Sequence, residues 1–159
     1  MRTACLLLAL AATGCQDLDI ESFGATTNRI VGGAPLATET DTVTIVAAVD
    51  VQNGADTDLG GGTLTDAAGN TYGGFEASST GSTFEVTLSF EQINQVAPIT
   101  FASPGGSRTF IATFYDDIQD TLTRELTLDL GCRGSNGQLA GACNGVCQDT
   151  PSDTMTCVP

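Results

Sequence analysis

Apolar residues recur at every second position through four stretches of the chain. Val43, Ile45, Ala47, Val49 and Val51 share one parity, with Thr44, Val46, Ala48 and Asp50 between them. Phe84, Val86, Leu88 and Phe90 alternate with Glu85, Thr87 and Ser89, and Phe110, Ala112 and Phe114 with Thr109 and Thr113. Further on, Leu122, Leu126, Leu128 and Leu130 are set against Arg124, Thr127 and Asp129. A period of two sends successive side chains to opposite faces, so these runs predict strands with one face buried against another layer. Between them lie Asn53-Gly54, Gly60-Gly61-Gly62, Gly69-Asn70, Gly73-Gly74, Ser79-Thr80-Gly81 and Pro104-Gly105-Gly106, residue types that turn the backbone. Residues 63–66 and 71–76 flank Ala67-Ala68-Gly69-Asn70 as the arms of a short hairpin. One helical turn fits Ser89-Phe90-Glu91-Gln92-Ile93, where Ser89 and Gln92 have the spacing of a capping box. About seven short strands, with turns every 8–12 residues, predict an all-β chain folded as a β-sandwich. Its expected bounds are residues 42–131. With no Trp in the chain, seven Phe together with Leu, Ile and Val must fill the core.

Ahead of the first strand the pattern changes. Met1-Arg2-Thr3-Ala4 leads into an uncharged apolar run from Cys5 to Ala12, then Thr13-Gly14-Cys15. One positive residue and a short apolar run predict a signal peptide over residues 1–14, and the run is far too short to span a bilayer. From Gln16 to about Asp41 no apolar period persists, and Asp, Glu, Ser, Thr, Asn and Gly recur. Such a composition buries little surface, so residues 15–41 are expected to form a flexible tether. A tether of about 25 residues spans roughly 25–30 Å root-mean-square, which holds a domain clear of lipid headgroups.

Three stretches resemble known families. Ala11-Ala12-Thr13-Gly14-Cys15 resembles the lipobox of bacterial lipoproteins, with Ala12 where Leu is most often found. The resemblance implies that Cys15 carries the lipid and begins the mature chain. The other reading is an ordinary signal peptide cleaved nearby, with Cys15 free or disulfide-bonded. Gln16 follows, where Asp would resemble an inner-membrane retention signal. That implies the outer membrane, with the domain facing the periplasm or the cell exterior. Several acyl chains on one cysteine anchor firmly, each buried methylene contributing about 0.8 kcal/mol.

From about Thr42 to Leu130 the chain resembles bacterial immunoglobulin-like domains. The match is sharpest in Ser107-Arg108-Thr109-Phe110-Ile111-Ala112-Thr113-Phe114-Tyr115-Asp116-Asp117, then Leu122-Thr123-Arg124-Glu125-Leu126-Thr127-Leu128. It implies two packed sheets, though the chain has neither the core Trp nor an intersheet cysteine pair. Near the C-terminus, Cys143-Asn144-Gly145-Val146-Cys147, Asp149-Thr150, Asp153 and Cys157 resemble one unit of stigma-specific-protein-like domains, which recur at the ends of secreted myxobacterial proteins. The usual further Cys-Gly-x-Cys is missing. This resemblance implies export rather than an activity.

Charge and composition narrow the partners. Nineteen acidic residues stand against five Arg, with no Lys and no His, for a formal net charge of −14. Removing residues 1–14 takes away one of those Arg and no acid. A chain without a basic patch is a poor match for phosphate backbones, so no nucleic acid partner is expected. Mechanisms that need an imidazole, a lysine Schiff base or a phosphate-loop lysine are excluded.

The cysteines fit an oxidising compartment. With Cys5 lost in the signal and Cys15 lipidated, Cys132, Cys143, Cys147 and Cys157 remain as an even set. Two disulfides among them have three possible connectivities, of which Cys132–Cys143 with Cys147–Cys157 is preferred. Each would close a loop of about ten residues and stabilise by roughly 2–3 kcal/mol. The tail, residues 132–159, is thus expected to be loop-rich and stapled. A four-cysteine zinc site has tolerable spacing but is disfavoured by export.

Three motifs carry possible chemistry. Arg29-Ile30-Val31-Gly32-Gly33 resembles the activation cleavage site of chymotrypsin-like serine proteases. That family needs a His base and a Gly-Asp-Ser-Gly-Gly loop, and this chain has neither. The ordinary reading is an exposed tether segment, which a trypsin-like enzyme would cut after Arg29. Asp116, Asp117 and Asp120 fall in one loop, and Asp50, Asn53, Asp56 and Asp58 in another. Oxygen ligands of this kind can hold Ca²⁺, although neither cluster matches the spaced Asp-x-Asp-x-Asp-Gly loop and solvated turn carboxylates are the ordinary explanation. Glu76, Glu85, Glu91 and Glu125 could supply a carboxylate pair for glycoside hydrolysis, but their spacing singles out none.

The expected function is therefore a membrane-anchored, non-catalytic binding or structural module that meets an unknown protein or glycan ligand. The alternative is a catalytically dead remnant or accessory of a trypsin-like protease system.

Overall fold

A computed structural model describes residues 20–49, 59–77, 83–101, 105–116, 121–134, 137–140, 143–144, 146–149 and 155–158. In chain order the elements are β1 Ile20–Ala25, β2 Arg29–Gly33, β3 Thr42–Val49, β4 Leu59–Asp66, β5 Thr71–Ala77, β6 Thr83–Ser89, α1 Phe90–Val96, β7 Thr100–Phe101, β8 Gly106–Asp116, β9 Thr121–Arg133, β10 Cys143–Asn144, β11 Val146–Asp149 and β12 Met155–Val158. Among the described residues the fold is all-β with one short helix. Eight strands form a mixed sheet in the order β1-β3-β6-β5-β4-β8-β9-β2. Every pair in it is antiparallel except β2 with β9, which run parallel.

The sheet curls into a half-barrel. Rings of Phe23 on β1 and Phe114 on β8 meet edge-on with centroids 6.2 Å apart, although four strands lie between them in the order. The period of two explains which face turns inward. Val43, Ile45 and Ala47 on β3, Phe84, Val86 and Leu88 on β6, and Phe110, Ala112 and Phe114 on β8 are all buried. Burial of their apolar surface, at about 25 cal/mol per Å², is what closes the curl.

The helix closes one end of the curl. Ser89 Oγ accepts from the Gln92 amide at 3.1 Å, and Gln92 Oε1 accepts from the Ser89 amide at 2.8 Å, forming the capping box that the spacing predicts. Phe90 and Ile93 face the core, so Phe90 opens the helix rather than ending β6. Phe90 also packs on β2. A Cβ at Gly32 would lie 2.4 Å from its Cδ1, so only glycine permits this approach.

The residues expected as a tether are not one from Ile20 onward. Ile20, Ile30 and Val31 are buried, and β1 and β2 are integral strands of the sheet. The bounds 42–131 are thus too narrow, since the main sheet runs from Ile20 to Arg133. A strand of five residues with two apolar positions shows too little period to be recognised, and its burial comes from β9 and Phe90 rather than from its own pattern. Ile30 is likewise not solvent-exposed: it is a buried strand residue opposite Leu130.

Arg124 corrects the reading of β9. It shares the parity of the leucines and is half-buried on the inner face opposite Ala112. The tail is also more regular than expected. β10 pairs with β7, and β11 with β12, so backbone ladders organise its described residues.

The registers define two poles. Ile20 lies opposite Val49, Ala48 opposite Thr83, Ala77 opposite Phe84, Leu59 opposite Asp116, and Tyr115 opposite Thr121. These strand ends form one pole. The opposite pole carries α1, the 67–70 turn and the start of β8.

Candidate functional site

The densest polar constellation among the described residues lies at the helix pole. Asp66 ends β4 and organises the turn after it. Its Oδ1 accepts from the amides of Ala68 at 2.9 Å and Asn70 at 3.0 Å, and Asn70 Nδ2 reaches both carboxylate oxygens. The Tyr72 hydroxyl donates to Oδ2 at 2.8 Å. Burial by itself raises the Asp66 pKa, but the hydrogen bonds from Asn70, Tyr72 and Ala68 outweigh it and hold the carboxyl at about 2. Tyr72 moves the other way, pushed up to about 12 by burial and by its bond to Asp66, against the pull of Arg108.

Arg108 joins the hairpin to the helix. Its Nη1 donates to the Tyr72 hydroxyl at 2.9 Å and to the Ala97 carbonyl at 2.8 Å, while Nη2 donates to the Pro98 carbonyl at 3.0 Å. The guanidinium carbon lies 5.9 Å from the Tyr72 ring centroid. α1 has no basic residue in its last turn, so a cation from β8 satisfies the carbonyls that its own sequence leaves open.

A second bridge ties the 34–41 segment to the end of β9. Arg133 Nε donates to Glu39 Oε2 at 2.7 Å and Nη2 to Oε1 at 2.5 Å, a two-pronged pair. Arg133 Nη1 also donates to the Gly137 carbonyl at 2.7 Å. The Arg133 bonds, then the Leu36 amide, hold Glu39 at about 2, and the same pair raises Arg133.

These groups are bonded to one another, and none of them lines the clefts found among the described residues. The clefts lie elsewhere. One, of about 340 Å³, is lined by Arg29, Gly105, Gly106, Ser107, Asp129 and Leu130. Another, of about 370 Å³, includes Glu76 and Glu85, which are direct partners across β5 and β6. Register therefore pairs two of the four glutamates considered, both exposed, and leaves Glu91 on α1 and Glu125 on β9 apart.

Cys132 is buried near the end of β9 and is disulfide-bonded. A disulfide sulfur is not a thiolate ligand for zinc. Cys147 and Cys157 are register partners across β11 and β12, and Cys143 opens β10. Asp116 ends β8, whereas Asp117, Asp120, Asp50, Asn53, Asp56, Asp58 and Cys15 lie outside the described residues. Leu59 stands opposite Asp116, so connections 50–58 and 117–120 leave the sheet from neighbouring strand ends. Among the described residues no group of three His, Cys, Asp or Glu is placed to hold a metal, and no helix is long and apolar enough to cross a membrane.

The sequence pattern missed the Asp66–Tyr72–Arg108 constellation, although one signal was present. Arg108 has the parity of Phe110, Ala112 and Phe114, and a cation on a core face requires a partner. No protein-family model matches the chain, and no curated protein matches it.

Proposed function

We propose that this chain is a membrane-anchored, non-catalytic module with an immunoglobulin-like organisation, acting by contact outside the cytosol. The observation that carries the reading is where the strongly perturbed groups sit. Asp66, Tyr72, Glu39 and Arg133 are each engaged in bonds between elements of the fold, and none of them lines the clefts found among the described residues. Their chemistry is spent on rigidity, which suits a scaffold that presents surfaces.

Strand order supports the immunoglobulin-like part. β1-β3-β6-β5 and β4-β8-β9-β2 make two groups of four, with β5 bonded to both β4 and β6. The N-terminal segment is split between them, β1 antiparallel to β3 and β2 parallel to β9. The anchor rests on residues 1–15, whose single Arg, short apolar run and Ala-Ala-Thr-Gly-Cys ending suit an acylated cysteine.

Intact mass of the mature protein, with and without reductant, tests the proposal. The expected product begins at Cys15 with an acyl mass and gains four mass units on reduction, two for each of about two disulfides. Cys15→Ser should release the protein from the membrane fraction. An unmodified chain beginning at Met1 sinks both the anchor and the export.

A further inference from the structure

We infer that the anchor presses the pole formed by the ends of β3 and β8 and the starts of β1, β4 and β9 against the lipid surface, and presents the helix pole outward. The inference rests on the acylated Cys15 of the proposal above. Ile20 is 4 % exposed, pairs with Val49 and is the first residue of β1. Only residues 16–19 separate it from Cys15. Five residue steps reach at most about 18 Å even when fully extended. The lipid is thus attached at a defined corner of the sheet by a short strap, in place of a long coil that lets the domain tumble.

Geometry then assigns the two poles. β1 enters the sheet at the pole where Val49, Leu59, Asp116 and Thr121 end or begin their strands. β3 has eight residues, a rise of about 27 Å at 3.4 Å per residue, and it runs to that pole from the other. The 67–70 turn and α1 therefore stand roughly one strand length farther from the bilayer than Thr121. The surface available to a partner in the aqueous phase is the helix pole, which also carries the tail ladder of β10 with β7.

The chain has no Trp, so a single introduced indole reports one position without background. The acylated full chain is reconstituted in phosphatidylcholine vesicles containing a dansyl-headgroup lipid. Thr121→Trp and, as a second near reporter, Ser22→Trp are compared with Ala68→Trp and Gln95→Trp, after circular dichroism confirms each fold. Energy transfer to dansyl is expected to be several-fold stronger from positions 121 and 22 than from 68 and 95. A flexible 20-residue insertion between Asp19 and Ile20 should erase the difference. Equal transfer from all four uninserted chains, or the reverse order, overturns the inference while leaving the anchor intact. Absence of an acyl mass on Cys15, with no flotation of the chain with vesicles, overturns the anchor and the inference with it.

Discussion

The Tyr72 hydroxyl donates to Asp66 Oδ2 across 2.8 Å, and this one bond couples the 67–70 turn to the core through Arg108. Removing it is expected to loosen the whole helix pole. Tyr72→Phe should cost about 1–3 kcal/mol, since it deletes two charge-assisted bonds, one given to Asp66 and one accepted from Arg108, and leaves Arg108 its carbonyl partners. Asp66→Ala should cost more, because two amides, the Asn70 side chain and Tyr72 all lose their acceptor. Thermal melts of both variants check the order. An unchanged melting temperature for Asp66→Ala contradicts the role given to this carboxylate.

Both perturbed carboxylates make stability depend on acid. Glu39 falls from 4.5 to about 2 and Asp66 from 3.8 to about 2 on folding. The unfolded chain therefore binds their protons first, and folding gains nothing from them once both states are protonated. Stability should be full above about pH 5 and drop as pH falls toward 2. Tyr72, raised from 10.0 to about 12, acts at the other end: its contribution is complete below pH 10 and lost as pH climbs to 12. Denaturant midpoints across pH measure both limbs. The double variant Glu39→Gln/Asp66→Asn should flatten the acid limb and also weaken the alkaline one, because Asp66 helps to raise Tyr72, whereas Glu39→Gln alone should leave the alkaline limb in place.

Gly32 and Phe90 should behave as a coupled pair. The Cβ of Gly32→Ala falls within 2.4 Å of the ring, which is buried and cannot swing away. A cost of about 1–3 kcal/mol is expected from overpacking. Shortening the ring in Gly32→Ala/Phe90→Leu should recover part of it, so that the double variant loses less than the two single losses combined. Strict additivity in denaturant melts counts against the contact.

Trypsin provides a direct check on β2. The Arg29–Ile30 bond lies within a strand paired to Asp129 and Leu130, with Ile30 fully buried. A protease needs the peptide extended and free, so cleavage after Arg29 should track global unfolding. Limited digestion followed by mass spectrometry should show this site protected until denaturant opens the sheet. Rapid native cutting after Arg29 removes β2 from the fold.

Particular residues show how far the pattern of the chain could be followed. β3, β6 and β8 were legible because each repeats its apolar positions three times or more at one parity, and one wrong residue does not hide the period. The hairpin and the capping box were legible because their partners lie within a few positions. β2 was not, since Ile30 and Val31 are adjacent and their burial comes from β9, a hundred residues later. Asp66 looked like any turn carboxylate, for its partner Tyr72 is close but Arg108 is 36 residues beyond Tyr72. Arg124 was placed outward by its charge, although its parity puts it inward beside Leu122 and Leu126. Long-range partners decide such positions, and periodicity carries no record of them.

The parallel alignment of β2 with β9 has a mechanical consequence. Tension pulling residue 20 one way and the chain beyond residue 133 the other acts along the strands. The rungs from Arg29–Asp129 to Gly33–Arg133 then resist sliding as a group, where a hairpin pulled apart at its open end yields rung by rung. A body hung from a surface by one terminus and tugged at the other is held by a clamp whose weakest bond does not fail alone.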